Sequence, residues 1–501
     1  MTGPLVLLAA LVAGILCGDA RGADAAGALL ATAVVALLVA WVVRASPRRA
    51  LAIAAVGMLL LGAASEQRAL HGLAESPLTA SVRRGATQDL TATLTDDPAG
   101  PQYATEALAV LDSLAGRDAG GRTVLLRATG DEQSALRVLE AGDRVRLRGR
   151  LGPLTGFDVR LRRRHAVGTV TVERFEAVAG PDAPWFVVAD AARDVVLRGA
   201  AGLPPTPRAL LAGFVLGDTR AIPGDLVDDF RASGLSHLLA VSGANVAFAL
   251  AVAEPVLRRR RLGTRFAGGL AVLVVFGTMT RWEPSVLRAC VMAGLVMLAR
   301  WLGRPADAGR VLAYAMTVLL VVDPFLLFSV GFLLSCGACA GIAIASAPIE
   351  RRLRGPMWLR EALAVTTAAQ LGVAPVLLVT FGTLPLVALP ANLVAAPFVG
   401  PLTIWGLVVS AIGGVTGPAV ARWLQLPTLA MLRSIELVAR TAAAFPLALD
   451  PPGAIALTAA IGAVVAVRLV LARGRVRPVG RLARRGRRLS RQGWRSDPAR
   501  S

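Results

Sequence analysis

Long apolar runs without one charged side chain constrain this chain most, among them Ala26–Val43, Phe325–Ala347 and Leu363–Thr380. A helix needs about 20 such residues to cross a bilayer, and at that depth every backbone amide and carbonyl must find a partner within the protein. A 501-residue chain with 55% hydrophobic and 17% charged residues is therefore no ordinary water-soluble enzyme, and the expected fold class is a mainly α polytopic membrane protein. Leu5–Leu16, Ala26–Val43 and Leu51–Ala64 read as three helices within residues 1–75. Further spans are expected at Phe266–Thr280, Val286–Leu302, Gly309–Val322, Phe325–Ala347, Leu363–Thr380 and Ala454–Leu471.

All 54 cationic residues are arginine, set against 33 acidic ones for a formal charge of +21. They cluster at Arg44–Arg49, Arg258–Arg261, Arg304 and Arg310, Ile349–Arg354 and Arg473–Arg500. Short basic loops stay in the cytoplasm, so both termini are expected inside, with the chain after Glu66 and the turns at 282–284 and 323–324 outside. The tail, 474–501, is expected to be disordered; its charge also suits attraction to nucleic acid. Met1–Pro4 has no basic side chain, so the first helix reads as retained rather than as a signal peptide.

Residues 76–180 change character. Leu90–Thr95, Glu106–Ser113, Arg122–Ala128, Asp143–Leu151 and Gly168–Phe175 read as strands, with the clearest alternation in Arg144-Val145-Arg146-Leu147-Arg148. Five short strands suit a small extracytoplasmic barrel such as an OB-fold. The four cysteines, Cys17, Cys290, Cys336 and Cys339, lie in apolar segments, so no disulfide staples this region. Small neighbours around Cys336 and Cys339 suggest close helix packing rather than a redox or metal pair. Arg146, Arg148, Arg150, Arg160, Arg162, Arg163 and Arg164 are candidates to contact the phosphates of a single strand; a solvated face is the alternative, since only Tyr103, Phe157 and Phe175 could stack bases there. Trp185–Arg198, within a segment 181–232, reads as an interfacial amphipathic helix.

In Gly217–Val246 an acidic, turn-containing half gives way to an apolar run carrying Ser236, His237, Ser242 and Asn245. Polar groups in hydrocarbon are costly unless they face a bundle interior or water, so Asp218, Arg220 and these residues are expected to line something wet. Arg288 lies in another apolar run, either at a functional site or as an anchor snorkelling to the interface. Pro385, Pro390, Pro397 and Pro401 predict broken or re-entrant helices around Asn392.

Gly217-Asp218 followed by GLSHLLAVSGANV at Gly234–Val246 resembles the signature of the ComEC family, competence DNA-uptake channel proteins of the inner membrane. Glu283–Ala289 resembles that family's PSVLRA element and Asp323–Ser335 its DP…FSVGFQLS block, with Leu333 in place of the glutamine. Gly142–Gly149, Gly156-Phe157-Asp158 and Arg162–His165 resemble its external OB-like domain, although Val159 and Arg160 replace the usual aromatic pair. The resemblance implies a helical channel domain at 233–473 passing one DNA strand, with Asp218, Arg220, Ser236, His237, Ser242, Gly243, Asn245, Ser285, Arg288, Asp323, Ser329 and Asn392 as channel-lining or motif residues. Implied partners are single-stranded DNA, the lipid bilayer, a cytoplasmic DNA translocase ATPase, a membrane DNA receptor and a separate nuclease.

The family's C-terminal metallo-β-lactamase-like domain carries an HxHxDH cluster; this sequence has three histidines, none clustered, and no lysine for a phosphate-binding loop. No catalysis, metal or cofactor is therefore expected. Ser242 and His237 superficially suggest an intramembrane protease, but five positions apart on one helix they diverge by about 140°. The rival readings are a small-solute transporter or exporter and a non-conducting DNA receptor. Asp225, Asp228 and Asp229 would repel phosphate; capping or orienting the amphipathic helix is the other use open to them.

Overall fold

The computed structural model describes residues 2–445 apart from 22–25, 77, 101–102, 240 and 306, together with 448, 449 and 452. The expected helix Ala454–Leu471 and the basic tail lie outside the described residues. Eight described helices are long and apolar enough to cross a membrane.

Helices α1 (Thr2–Arg21), α2 (Ala26–Val42) and α3 (Pro47–Ala74) form the N-terminal group. Gly14 of α1 lies on the backbone of Leu59 and Gly62 of α3 on that of Leu11, where any side chain would collide. Close backbone approach through small residues replaces the hydrophobic drive that lipid removes.

After α4 (Thr79–Arg84) come β1 (Thr87–Leu94), β2 (Thr105–Leu114), β3 (Arg117–Ala128), α5 (Asp131–Arg137), β4 (Arg144–Gly152), a 3₁₀ segment Gly156–Arg164 and β5 (Ala166–Ala179). The strands close a barrel in the order β1-β2-β3-β5-β4, parallel only between β3 and β5. All five expected strands are present, because period-2 patterning is a direct record of which face is buried. Along β4, Val145, Leu147 and Leu151 enter a core with Leu90, Leu111, Leu126 and Val170, while Arg144, Arg146, Arg148 and Arg150 point outward.

Helix α6 (Pro184–Gly199) forms where the amphipathic helix Trp185–Arg198 is expected. Its polar face is divided: Arg193 is 1% exposed and Asp190 half-buried, whereas Asp194 and Arg198 are exposed, as are the apolar Trp185 and Val187 at 56% and 50%. Arg193 and Asp190 hydrogen-bond to Met279, Asp97 and Arg281, each more than 80 residues distant in sequence. Gly199 meets the backbone of Ser410, which draws α6 against a later helix.

Next come α7 (Pro205–Leu216), α8 (Gly224–Ala232), α9 (Ser236–Leu239) and α10 (Gly243–Leu257). The single helix expected through His237 and Asn245 is two helices with a non-helical link at Val241-Ser242. Gly234 is left-handed at φ +72°, and its Cα lies against Ala388, so only glycine fits this corner.

The charged loops separate α11 (Leu262–Met279), α12 (Pro284–Trp301) and α13 (Ala308–Val322). The span expected from Phe325 begins later: Pro324–Phe328 is a 3₁₀ turn, and α14 (Val330–Glu350) starts at a Ser329 cap that accepts from the Phe332 amide. Helix α15 (Met357–Phe381) packs on α14 through Gly337, Gly341 and Gly372, whose backbones touch.

The proline-rich region is also a correction: Ala388–Thr416 is one α-helix, α16, rather than a broken one. Pro390 falls in the first turn, where no amide bond is lost, and Pro397 and Pro401 are absorbed within it. Helices α17 (Pro418–Leu424) and α18 (Leu426–Ala443) follow. Leu432, Ile435 and Ala439 of α18 join Leu210, Phe214, Phe230 and Leu402 in the largest core.

Candidate functional site

The barrel sits over the ends of several helices and leaves a cavity of about 1470 Å³ between them. Its walls are the last turns of α3, the barrel loop carrying Asp96 and Asp97, Arg122 of β3, the Arg163–His165 turn, and the segments Gly217–Arg220, Thr280–Pro284 and Val321–Phe325. The turns that arginine counting assigns to one side of the membrane thus converge on one chamber, with Leu287, Ser329 and Gly331 toward the helices.

A buried ion network holds the barrel to the helical body at one edge. Asp97, after β1, accepts from Arg193 Nη2 and Arg281 Nε, both at 2.8 Å. Arg281 also donates to Asp190 at 2.9 Å and Glu140 at 3.1 Å, and Arg193 to the Met279 carbonyl at 2.6 Å. Asp218 grips Arg220 through both carboxylate oxygens, at 2.9 and 2.7 Å. Burial works against ionisation of Asp218, but the Arg220 guanidinium outweighs it and holds the carboxyl below the ordinary carboxylate value. Burial prevails at Glu140 and Asp190, whose pKa values are raised although arginines oppose the shift. Arg281 and Trp282 both have positive φ, +55° and +51°. Such non-glycine geometry costs about 1–3 kcal/mol per residue and persists only where surroundings over-determine it; three carboxylates do so for Arg281.

A second junction lies across the chamber. Arg163 pairs at 2.6 Å with both Asp19 of α1 and the fully buried Glu66 of α3, and its guanidinium lies 3.7 Å from the centre of the Phe328 ring. Arg164 pairs with Asp96 at 3.1 Å, and His165 contacts Asp323 at 3.2 Å. Burial raises Asp96 against the pull of Arg164, and raises Glu283, on the chamber wall, to about 7, again opposed by Arg164.

Beneath the chamber, polar side chains repair the interrupted backbone between α9 and α10. Ser285 donates to the Val241 carbonyl at 2.8 Å, and Asn245 donates to the Phe214 carbonyl at the end of α7 at 2.6 Å while receiving the Ser242 hydroxyl at 3.2 Å. Irregular backbone at such depth is tolerated where it is satisfied in this way. Ser236 bonds to the Phe230 carbonyl, and the exposed His237 lies beside Asn392 and the Gly234 carbonyl. Ser242 and His237 thus bond to different partners, with no contact of the kind a nucleophile and base require.

Of the residues singled out from sequence, Asp218, Arg220, Asp323, Ser329, Arg163 and Arg164 line the chamber, whereas Ser236, His237, Ser242, Gly243, Asn245, Ser285, Arg288 and Asn392 do not. The arginine set divides as well. Arg146, Arg148 and Arg150 occupy the outer face of β4, away from the chamber wall, with Arg150 bonded to the Gly85 carbonyl. Arg160 lies over Phe157 and flanks a smaller recess with Arg162, while Arg163 is committed to Asp19 and Glu66. Sequence reading missed Asp97, Glu140, Arg193 and Arg281, and also Arg68 and Arg122, chamber cations that form no ion pair among the described residues. The one available signal was Arg281-Trp282 immediately before the Glu283–Ala289 element.

These features define a polytopic membrane protein whose inserted soluble barrel is keyed by buried charges over a chamber at the helix ends. Residues 214–475, more than half of the chain, match the family described as Competence protein, and the chain belongs to that family. It is 25% identical over 349 residues to ComE operon protein 3 of Bacillus subtilis strain 168, covering 64% of this chain and 44% of that relative. It is 24% identical over 236 residues to the uncharacterized protein YcaI of Escherichia coli K12, covering 44% and 31% respectively. The chain thus spans less than half the length of these curated relatives. No solved structure matches.

Proposed function

We propose that this protein takes part in competence by passing a single DNA strand through the cytoplasmic membrane. The observation that carries the reading is the chamber: Gly217-Asp218 and the starts of the Glu283–Ala289 and Asp323–Ser335 elements converge beneath a barrel, and Arg68 and Arg122 on its wall are cations without ion-pair partners among the described residues. We read the barrel as OB-like, since its closed five-strand order with a helix between β3 and β4 suits that architecture. The outward β4 face with Arg146, Arg148 and Arg150 is then a first electrostatic landing for phosphates, and the chamber the entry to the helices. In this reading both termini are cytoplasmic, and a translocase ATPase, a DNA receptor and a nuclease act with it.

The test is uptake of labelled DNA in a competent host whose own gene has been replaced by this one, with surface-bound and internalised label measured separately. R68Q/R122Q is expected to reduce internalised label several-fold while bound label stays close to wild type. Unchanged internalisation removes the chamber from the route. Bound label without internalisation in the wild type favours a receptor, and accumulation of a small solute instead of DNA favours a transporter.

A further inference from the structure

Arg288 is one of the few charged side chains buried among the helices: it is 5% exposed and forms no ion pair among the described residues. It lies on α12 immediately after Leu287, which lines the chamber, so it sits just below that floor. Its partners are neutral. Nε donates to Ser335 Oγ at 2.8 Å, and Nη1 to Cys339 Sγ at 2.9 Å and Met292 Sδ at 3.0 Å. Nη2 has no acceptor among the described residues and is aimed at the first residue of α10: a Cβ placed on Gly243 would fall 2.6 Å from it.

A helix N-terminus carries unpaired amides and the positive end of the helix dipole. Helix α10 opens with no side-chain cap from Ser242. A buried guanidinium and a helix N-terminus, two positive ends face to face, cost energy that neither thioether, thiol nor hydroxyl offsets. The same arrangement with an anion between them is favourable, because guanidinium and first-turn amides both donate to phosphate oxygens.

We propose that Arg288 and the first turn of α10 form an internal phosphate site, occupied transiently by the phosphodiester groups of a passing strand. The absence of a side chain at Gly243 lets the guanidinium lie against the first turn of α10, so that one phosphate can reach both donors. The weak neutral contacts to Ser335, Cys339 and Met292 hold the guanidinium in place between occupants, and conduction requires such brief binding rather than tight capture. This inference rests on the proposed function for the identity of its occupant, but not for its chemistry.

The neighbouring thiol supplies the test. The full chain in a phosphate-free detergent is treated with a small thiol reagent, and modification of Cys339 is followed by peptide mass spectrometry with inorganic phosphate, a short single-stranded oligonucleotide, or short-chain phosphatidylglycerol added. Phosphate and oligonucleotide are expected to slow Cys339 modification in the wild type. R288Q should weaken that protection roughly tenfold or more, R288K should retain part of it, and G243A, which crowds the guanidinium, should reduce it while leaving Arg288 present. A matched unfolding temperature for R288K and wild type separates anion binding from a purely structural role. Absence of protection by any anion, equal protection in R288Q, or protection by the lipid alone overturns the proposal. Protection without DNA internalisation in cells sinks only the proposed function, and internalisation without protection sinks only this site.

Discussion

Asp97→Asn is the most informative single change in the junction between barrel and helices. Asp97 is 14% exposed at its side chain and receives two guanidinium bonds of 2.8 Å, with Arg220 a further 3.9 Å away. The amide keeps one acceptor oxygen but turns an NH₂ toward Arg193 or Arg281, whose side chains are 1% and 8% exposed. Removing one partner of a buried pair costs about 3–5 kcal/mol, because the remaining charge is left uncompensated. Glu140 and Asp190 still contact Arg281, which places the expected cost toward the lower figure. Hydrogen exchange of the full chain in detergent reads it directly: amides in 95–98, 190–200 and 280–283 should exchange roughly a hundredfold faster or more in D97N. Salt up to about 1 M should change the difference little, since buried pairs escape screening. Asp228→Asn is the control, because its pair with Arg231 is more than 70% exposed on both sides and should contribute less than about 1 kcal/mol. Exchange in D97N equal to that in D228N would refute the view that this network fastens the barrel.

Asn245→Ala leaves the Phe214 carbonyl without its donor, and should lower unfolding stability by about 1–3 kcal/mol; a stable variant that still fails in DNA internalisation would give Asn245 a lumenal role instead. Burial raises Glu283 above its ordinary 4.5 to about 7, so the folded state binds a proton that the unfolded state has released. Its stabilising contribution is therefore complete below pH 4.5 and disappears as pH rises to about 7, and E283Q should abolish that slope in pH-dependent unfolding. Gly341→Ala puts a methyl onto the Ala368 backbone, and should force α14 and α15 apart, visible as loss of folded protein in size-exclusion chromatography. Arg163→Gln strands the buried Glu66 and should open residues 156–165 to proteolysis, whereas Arg146→Gln should not.

Local periodicity made the barrel legible: outward Arg146 and Arg148 alternate with buried Val145 and Leu147, and nothing else in the chain could reverse that choice. Long uncharged runs likewise marked α2, α14 and α15, although the Phe325 start was too early because a 3₁₀ turn is as apolar as a helix. Failures arose where the deciding partner lies far away in sequence. The charged face of α6 has the pattern of a surface helix, and Asp194 and Arg198 do lie exposed, but Asp97 and Arg281, 96 residues before Arg193 and 91 after Asp190, draw those two residues inward. The interruption between α9 and α10 contains neither proline nor charge, so its stabilisation by Ser285, Phe214 and Asn245 could not be read locally. Prolines in α16 misled in the opposite direction, since a first-turn proline and two absorbed ones leave the helix continuous.

At its two junctions the barrel presents opposite signs: carboxylates Asp97 and Glu140 meet Arg193, Arg220 and Arg281, whereas Arg163 meets Asp19 and Glu66. A module with this polarity can be seated in one orientation only, because turning it around would bring like charges together at both contacts. Grafting a barrel from a relative onto these helices would therefore succeed according to whether its acids and its arginine occupy equivalent corners, whatever the remainder of its surface.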